Sequence, residues 1–387
     1  MGEAIITRRG GILKIAGQTE EIVRFGEAIN KYDPVYVKYL MTKLPNPSGL
    51  PTGHGNGVAF DKTGTYLAVA HTTNPYITIY KRSGDTFTKL PAPSKLPTGE
   101  GVGVAFDPTG TYLAVAHYNG PYITIYKRNE DTFTKLSNPS PLPAGNGWGV
   151  AFDKTGTYLA VAHYGYPYIT IYKRSEDTFT KLSNPSPLPA GNGCGVAFDP
   201  KGTYLAVAHS SNPYITIYKR NEDTFTKLPD PVLPANDGNG VAFDPTGMYL
   251  AVAHWNDPYI TIYKRSGDTF TKLPTPSKLP TGDGRGVAFD PTGAHLAVAH
   301  YDSPYITIYK RSGDTFTKAM IPELSDPSAL PKGTGNGVAF DPTDLYMAVA
   351  HVSYPYITIY TTTACFKTNL MSDISITDRA GYAKESG

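Results

Sequence analysis

The chain is poor in groups that would cross-link it, hold a metal or anchor it in a membrane. Its only two cysteines are Cys194 and Cys365. Cys194 stands where other copies of the same local sequence carry Asn, Val, Trp or Arg, so no structural disulfide is expected. No stretch is apolar enough to span a bilayer. The start, Met1-Gly2-Glu3-Ala4-Ile5-Ile6-Thr7-Arg8-Arg9, lacks the apolar core of a secretory signal, and the expectation is assembly in a cytoplasm without membrane insertion. Neither charge sign predominates: the net charge is +2, and Lys-Arg pairs such as Lys81-Arg82 lie near Asp85 and its equivalents. That is a balanced strand end and not the basic stripe that nucleic acid requires. Helical periodicity is missing throughout, and so are a P-loop, a nucleophile elbow, a His-x-x-x-His pair and a cysteine pair.

What is present is a repeat. The string GVAFDPTGTYLAVAH followed by NPYITIYKR recurs seven times with small changes. Its leading glycine falls at Gly57, Gly103, Gly149, Gly195, Gly240, Gly286 and Gly337, giving spacings of 46, 46, 46, 45, 46 and 51 residues. A fixed period of this size marks units that cannot bury their apolar faces alone. In the second copy, Val104-Ala105-Phe106 runs into Asp107-Pro108-Thr109-Gly110, the composition of a type I turn. Tyr112–His117 follows as a second strand rich in alanine, and Tyr122–Tyr126 is a β-branched and aromatic third strand. Asn129-Glu130-Asp131 makes a polar turn into a fourth strand, Thr132–Leu136, and a Pro/Gly/Ser-rich loop leads to the next copy. Four antiparallel strands in about 46 residues make one blade of a β-propeller. The alanine-rich second strand is expected in the crowded region near the axis, with the aromatic strands outside it.

This pattern resembles WD40-like and YVTN-type propellers over residues 39–361, although the WD dipeptide itself is absent. The fold class expected is all-β: a seven-bladed propeller of four-stranded antiparallel blades, with a small split β module formed by the two termini (1–38 and 362–387). The seventh copy has Thr361-Thr362-Thr363 in place of Lys-Arg and no Asp-Thr-Phe-Thr-Lys-Leu after it, while Leu40-Met41-Thr42-Lys43-Leu44-Pro45 matches Thr86–Pro91. The N-terminal strand, residues 39–45, is therefore expected to complete the last blade and remove two open edges. The competing possibility is a local strand around Cys365-Phe366-Lys367-Thr368. In the flanks, Gly26-Glu27-Ala28-Ile29 with Asp33-Pro34-Val35-Tyr36-Val37, and Ala380–Gly387, resemble small β modules of tailed-bacteriophage virion proteins, particularly capsid decoration proteins. That resemblance implies a virion location, capsid or other virion proteins as partners of the terminal module, and an oligomer on the particle. Such modules continue into another strand, which implies completion beyond Gly387 or by another subunit.

Seven histidines end the second strands: His71, His117, His163, His209, His254, His300 and His351. One per blade spaces them too widely to share an ion, so each is read as a structural histidine holding its loop, and the Asp of GVAFD as a turn-former. No catalytic residue, metal or cofactor is expected. The informative positions are those where the copies disagree, and they cluster in the loop after each His and just before each GVAFD. In a four-stranded blade both emerge on one face, a rim around the channel mouth. It carries Trp148, Trp255, Tyr118, Tyr164, Tyr166, Tyr301, Tyr354, Asp257 and Arg285, and aromatics beside polar side chains suit recognition of a glycan or protein surface. The expected function is non-enzymatic: a virion surface protein whose rim contacts a host surface protein or glycan. The alternatives are an intracellular interaction scaffold and a lactonase-like propeller enzyme.

Overall fold

A computed structural model describes residues 4–7, 12–15, 22–24, 36–319 and 328–367. The chain divides into two compact units, residues 1–41 with 320–322 and 362–387, and residues 42–319 with 323–361. In the first, strands Ala4–Thr7, Ile12–Ile15 and Ile22–Arg24 form an antiparallel three-stranded sheet in that order. Of the flank motifs, only Tyr36 and Val37 are among the described residues.

The second unit is an all-β, seven-bladed propeller. Each blade is a four-stranded antiparallel sheet with its strands in sequence order. Blade 1 is built from Gly55–Phe60, Tyr66–His71, Ile77–Ser83 and Thr86–Lys89. The turn between its first two strands is fixed by three residues. Gly64 N donates to Asp61 O (2.9 Å), the Asp61 carboxylate accepts from Tyr66 N and the Thr63 hydroxyl, and Gly64 has φ +66°. Asp and Gly therefore keep their spacing in the sequence because the backbone needs both.

The strand at the axis is the first one of each blade. The alanine-rich second strand stands one place further out, buried along its whole length. The shared glycine explains why the first strands can meet. A Cβ on Gly57 would come within 3.0 Å of Val102 O, and on Gly103 of Trp148 O. The same holds around the circle to Gly337, whose neighbour is Asn56 O. Seven glycines and seven carbonyls thus close the inner ring, and any side chain there would push two blades apart.

Between blades the packing pairs a flat face with a bulky one. Ala68, Ala70 and Ile79 of blade 1 receive Leu113, Val115, Tyr126 and Phe133 of blade 2. Ala348, Ala350 and Ile359 of blade 7 receive Leu67, Val69, Tyr80 and Phe87 of blade 1. A polar clasp lies outside this core. Tyr66 Oη donates to Asp131 Oδ1 (2.6 Å), Lys81 Nζ to Asp131 Oδ2 (2.8 Å), and the Arg128 guanidinium lies 4.4 Å from the Tyr66 ring centre. The exposed Lys–Asp pair adds little by itself; the cation–π stack and the phenol hydrogen bond fix the angle between blades.

Tyr36–Lys43 is the outer strand of blade 7, paired with Ile357–Lys367. Leu44 N donates to Ile359 O (2.8 Å), and Thr361 Oγ1 to Thr42 O. The N-terminal strand therefore closes the ring, and the segment holding Cys365 continues the third strand instead of turning back. Thr361 pairs with Tyr346, beside the Asp341–Asp344 turn. The chain enters and leaves the propeller at the turn end of blade 7.

Candidate functional site

The histidines occupy structural positions. Each is fully buried, and its Nε2 meets the threonine two places into the next strand, from His71 with Thr78 (3.0 Å) to His351 with Thr358 (2.9 Å). In His117, His163 and His254 the Nδ1 also reaches the carbonyl of the following residue. Burial lowers the pKa of all seven, to about 4 for His71, His209, His300 and His351. They are neutral near pH 7 and point between strands. Among the described residues no group of three or more His, Cys, Asp or Glu is placed to hold a metal ion.

At the opposite end of the blade from the Asp-Gly turn, every first strand carries a β-bulge. In blade 1 Gly55 pairs with His71 and Gly57 with Ala70, so Asn56 is the extra residue; the same shift recurs in all seven blades. The bulge residues are Asn56, Val102, Trp148, Cys194, Asn239, Arg285 and Asn336. Flanking glycines on both sides are packed against neighbouring carbonyls, so the bulge residue alone is free to change, and a bulge re-aims its side chain out of the ladder. These side chains run around the mouth of the ring: Asn56 Nδ2 donates to Gly101 O (2.9 Å), Asn239 Nδ2 to Gly284 O (2.8 Å), and Asn336 Nδ2 to Gly55 O and Asn56 Oδ1.

The structure brings some of the rim residues together and leaves others apart. The Trp148 ring lies 5.1 Å from Tyr164 and 6.3 Å from Tyr118 between ring centres, all tilted, a contiguous three-ring platform spanning blades 2 and 3. Burial, then Tyr164, Glu100 and Cys194, raise the Tyr118 phenol, which places those groups around it. Burial, with a smaller push from Asp237, raises the Cys194 thiol to about 12, so it is a quiet thiol and not a nucleophile. Arg285 lies 5.4 Å from the Tyr301 ring centre. Tyr166 and Tyr354 project from their loops at 70% and 67% exposure, each edge-on to the tyrosine two places later. Trp255 and Asp257 are exposed on the blade 5 loop, apart from the platform.

Two positions read differently in three dimensions than in sequence. Two residues before the bulge, Asn146, Asn192 and Asp283 use their side chains to accept from the backbone N of Asn119, Gly165 and Asn256 in the preceding loop. Their variation is among residues that can tie two loops, and they are not open ligand positions. The turn end is also less uniform than the repeated Asp-Pro-Thr-Gly suggests. Met248, Ala294 and Leu345 stand where blades 1–4 have Thr65, Thr111, Thr157 and Thr203, and His295 and Asp344 replace Tyr and Gly. The full bulge ring was missed as a unit because alternation in GxGVAF does not reveal an inserted residue; its signal was a variable residue between two constant glycines.

No family model and no curated protein matches the chain. Among solved structures it is similar to the Cps50 (Swd1) β-propeller domain of Myceliophteria thermophila, at 13% identity and a TM-score of 0.63, covering 84% of this chain and 100% of that one. It is also similar to a putative 6-phosphogluconolactonase from Bacteroides fragilis, at 13% identity and a TM-score of 0.58, covering 73% of this chain and 94% of that one. The likeness is one of fold.

Proposed function

We propose that this protein is a non-enzymatic virion surface protein that presents its propeller rim to a host surface protein or glycan, with the terminal unit bound to capsid or other virion proteins. The observation that carries the reading is the bulge ring. Seven near-identical blades place seven residues, of five kinds, at one end of the axis, ringed by exposed tyrosines and Trp255. Variation gathered at one end of a repeated frame is the arrangement of a recognition surface on a rigid scaffold. The chain's points of entry and exit, Thr42 and Thr361, lie at the turn end of blade 7. The flank motifs that resemble phage decoration modules supply the virion assignment.

The test is the double variant Trp148→Ala with Trp255→Ala. It is expected to lose adsorption to host cells or signal on a glycan array, with an unchanged thermal midpoint within about 2 °C. Full adsorption by the double variant would remove the rim from consideration. Absence of the protein from purified particles by mass spectrometry would remove the virion assignment.

A further inference from the structure

The rim divides by charge. Residues 98–102, 118–120, 144–148, 164–166, 190–194, 210–212 and 235–239 are its variable segments from blade 2 to the start of blade 5, and their only charged side chains are Glu100 and Asp237. The cations of the rim, Arg285 and Lys332, belong to blades 6 and 7. Neither carboxylate serves the frame. At the matching place Asn146, Asn192 and Asp283 tie back to the preceding loop. Among the described residues Glu100 and Asp237 make no such link and no ion pair. Between them stands the arc of Tyr118, Trp148 and Tyr164, with ring centres 6.3 and 5.1 Å apart. Tyr118 N donates to Glu100 O (2.9 Å) at one end. Burial is the main cause that raises the Tyr118 and Tyr164 phenols and the Cys194 thiol; Glu100 adds to it at Tyr118, and Asp237 at the other two. A carboxylate is thus felt at each end of the arc. Burial also raises the Asp237 carboxyl, so its charge is partly stripped of water with no cation beside it.

Ring faces carry negative potential and attract a cation. The form of the arc selects which cation. A lysine ammonium is compact and strongly hydrated, whereas a guanidinium is planar, weakly hydrated and stacks on aromatic faces. The frame of this molecule already uses that combination. Arg128 lies 4.4 Å from the Tyr66 ring centre, beside Asp131, and the same stack recurs at five further joints. We propose that the arc of Tyr118, Trp148 and Tyr164 is a subsite for an arginine side chain of a host surface protein. The guanidinium stacks on the arc, and Glu100 and Asp237 draw it from either end. Tyr164 is 40% exposed and the other two rings are half-buried, so ring surface is open as the side chains stand. This rests on the rim being the recognition surface and narrows its target to a protein.

The protein contains two tryptophans, so a full-length Trp255→Phe protein has Trp148 as its only indole reporter. Its fluorescence is to be titrated with N-acetyl-arginine amide, N-acetyl-lysine amide and N-acetyl-citrulline amide, the last a neutral copy of the first. The expected result is a saturable change with the arginine compound and binding about fivefold weaker or absent for the other two. Tyr164→Ala, and separately Glu100→Gln with Asp237→Asn, each in the Trp255→Phe background, should weaken the arginine compound about fivefold. The carboxylate variant should also lose most of the salt dependence of binding. Both carboxylates lie outside any ion pair of the frame, so circular dichroism and thermal midpoint of that variant are expected to match the parent. No response to the arginine compound, an equal response to citrulline, tighter binding of lysine, or unchanged affinity in both variants would overturn the subsite. If the subsite fails while the double tryptophan variant still loses host adsorption, the rim reading stands and the arginine alone is removed. If adsorption also survives, both readings fall together.

Discussion

A methyl group on Gly103 would come within 3.0 Å of the Trp148 carbonyl, and each equivalent glycine faces the same obstacle. The glycine that marks every copy in the sequence is thus a spacing requirement of the inner ring, separate from any need for positive φ. Asp344 is the contrary case. It replaces the turn glycine of the other six blades, and it adopts φ +57°, where a side chain costs about 1 kcal/mol. Burial, reinforced by the carboxylates of Asp290 and Asp341, raises its pKa to about 7. A carboxyl whose folded pKa is raised favours the folded state at low pH, and that contribution is lost as pH rises from about 4 through 7. Asp344→Gly is therefore expected to stabilise the protein by about 1 kcal/mol at pH 5 and by more at pH 8. Urea unfolding at the two pH values checks this, and a variant less stable than the parent at pH 8 would contradict it.

At the scale of the element, the closing strand and the bulge behave differently as sequence features. The closing strand was legible because Met41-Thr42-Lys43-Leu44 copies a motif that the seventh repeat lacks, and an open edge demands a partner. Deleting residues 39–45 removes Met41 from full burial and Leu44 from the blade 7–blade 1 core, besides the Leu44–Ile359 hydrogen bond. A loss of several kcal/mol is expected from two large buried side chains, at about 2–5 kcal/mol each. Differential scanning calorimetry reads it directly, and an unchanged midpoint would show that the ring closes without this strand. The number of blades and their four antiparallel strands were legible, since composition, turn chemistry and period agree. The bulge was not, because one inserted residue leaves the local apolar pattern intact. The order of strands about the axis escaped for a related reason: small residues suit both the axis and a sheet buried on both faces. The rim was legible as a set of varying positions, but the grouping of Tyr118, Trp148 and Tyr164 across two blades depends on ring geometry.

For the whole molecule, the seven histidines act in the same direction. Each is neutral and buried, with its pKa lowered from 6.5, to about 4 in four of them and lowered likewise in His117, His163 and His254. The unfolded chain takes up protons near pH 6.5 that the folded ring refuses until much lower pH. Stability is thus complete above pH 6.5 and falls as pH drops towards 4, by up to about 1.4 kcal/mol per pH unit for each histidine. A steep decline of the urea midpoint between pH 7 and pH 4.5 is expected, and a level midpoint over that range would contradict the buried neutral ring.

The bulge has a consequence for how such a protein can change over generations. Its residue lies outside the strand ladder, between two glycines that set the distance to the neighbouring blade. Exchange of whole repeats among the first six copies therefore leaves those joints as they were. What such exchange alters is the order of seven side chains around an opening. A lineage can thereby try new combinations at the mouth by shuffling parts it already has, without waiting for the frame to be repaired after each trial.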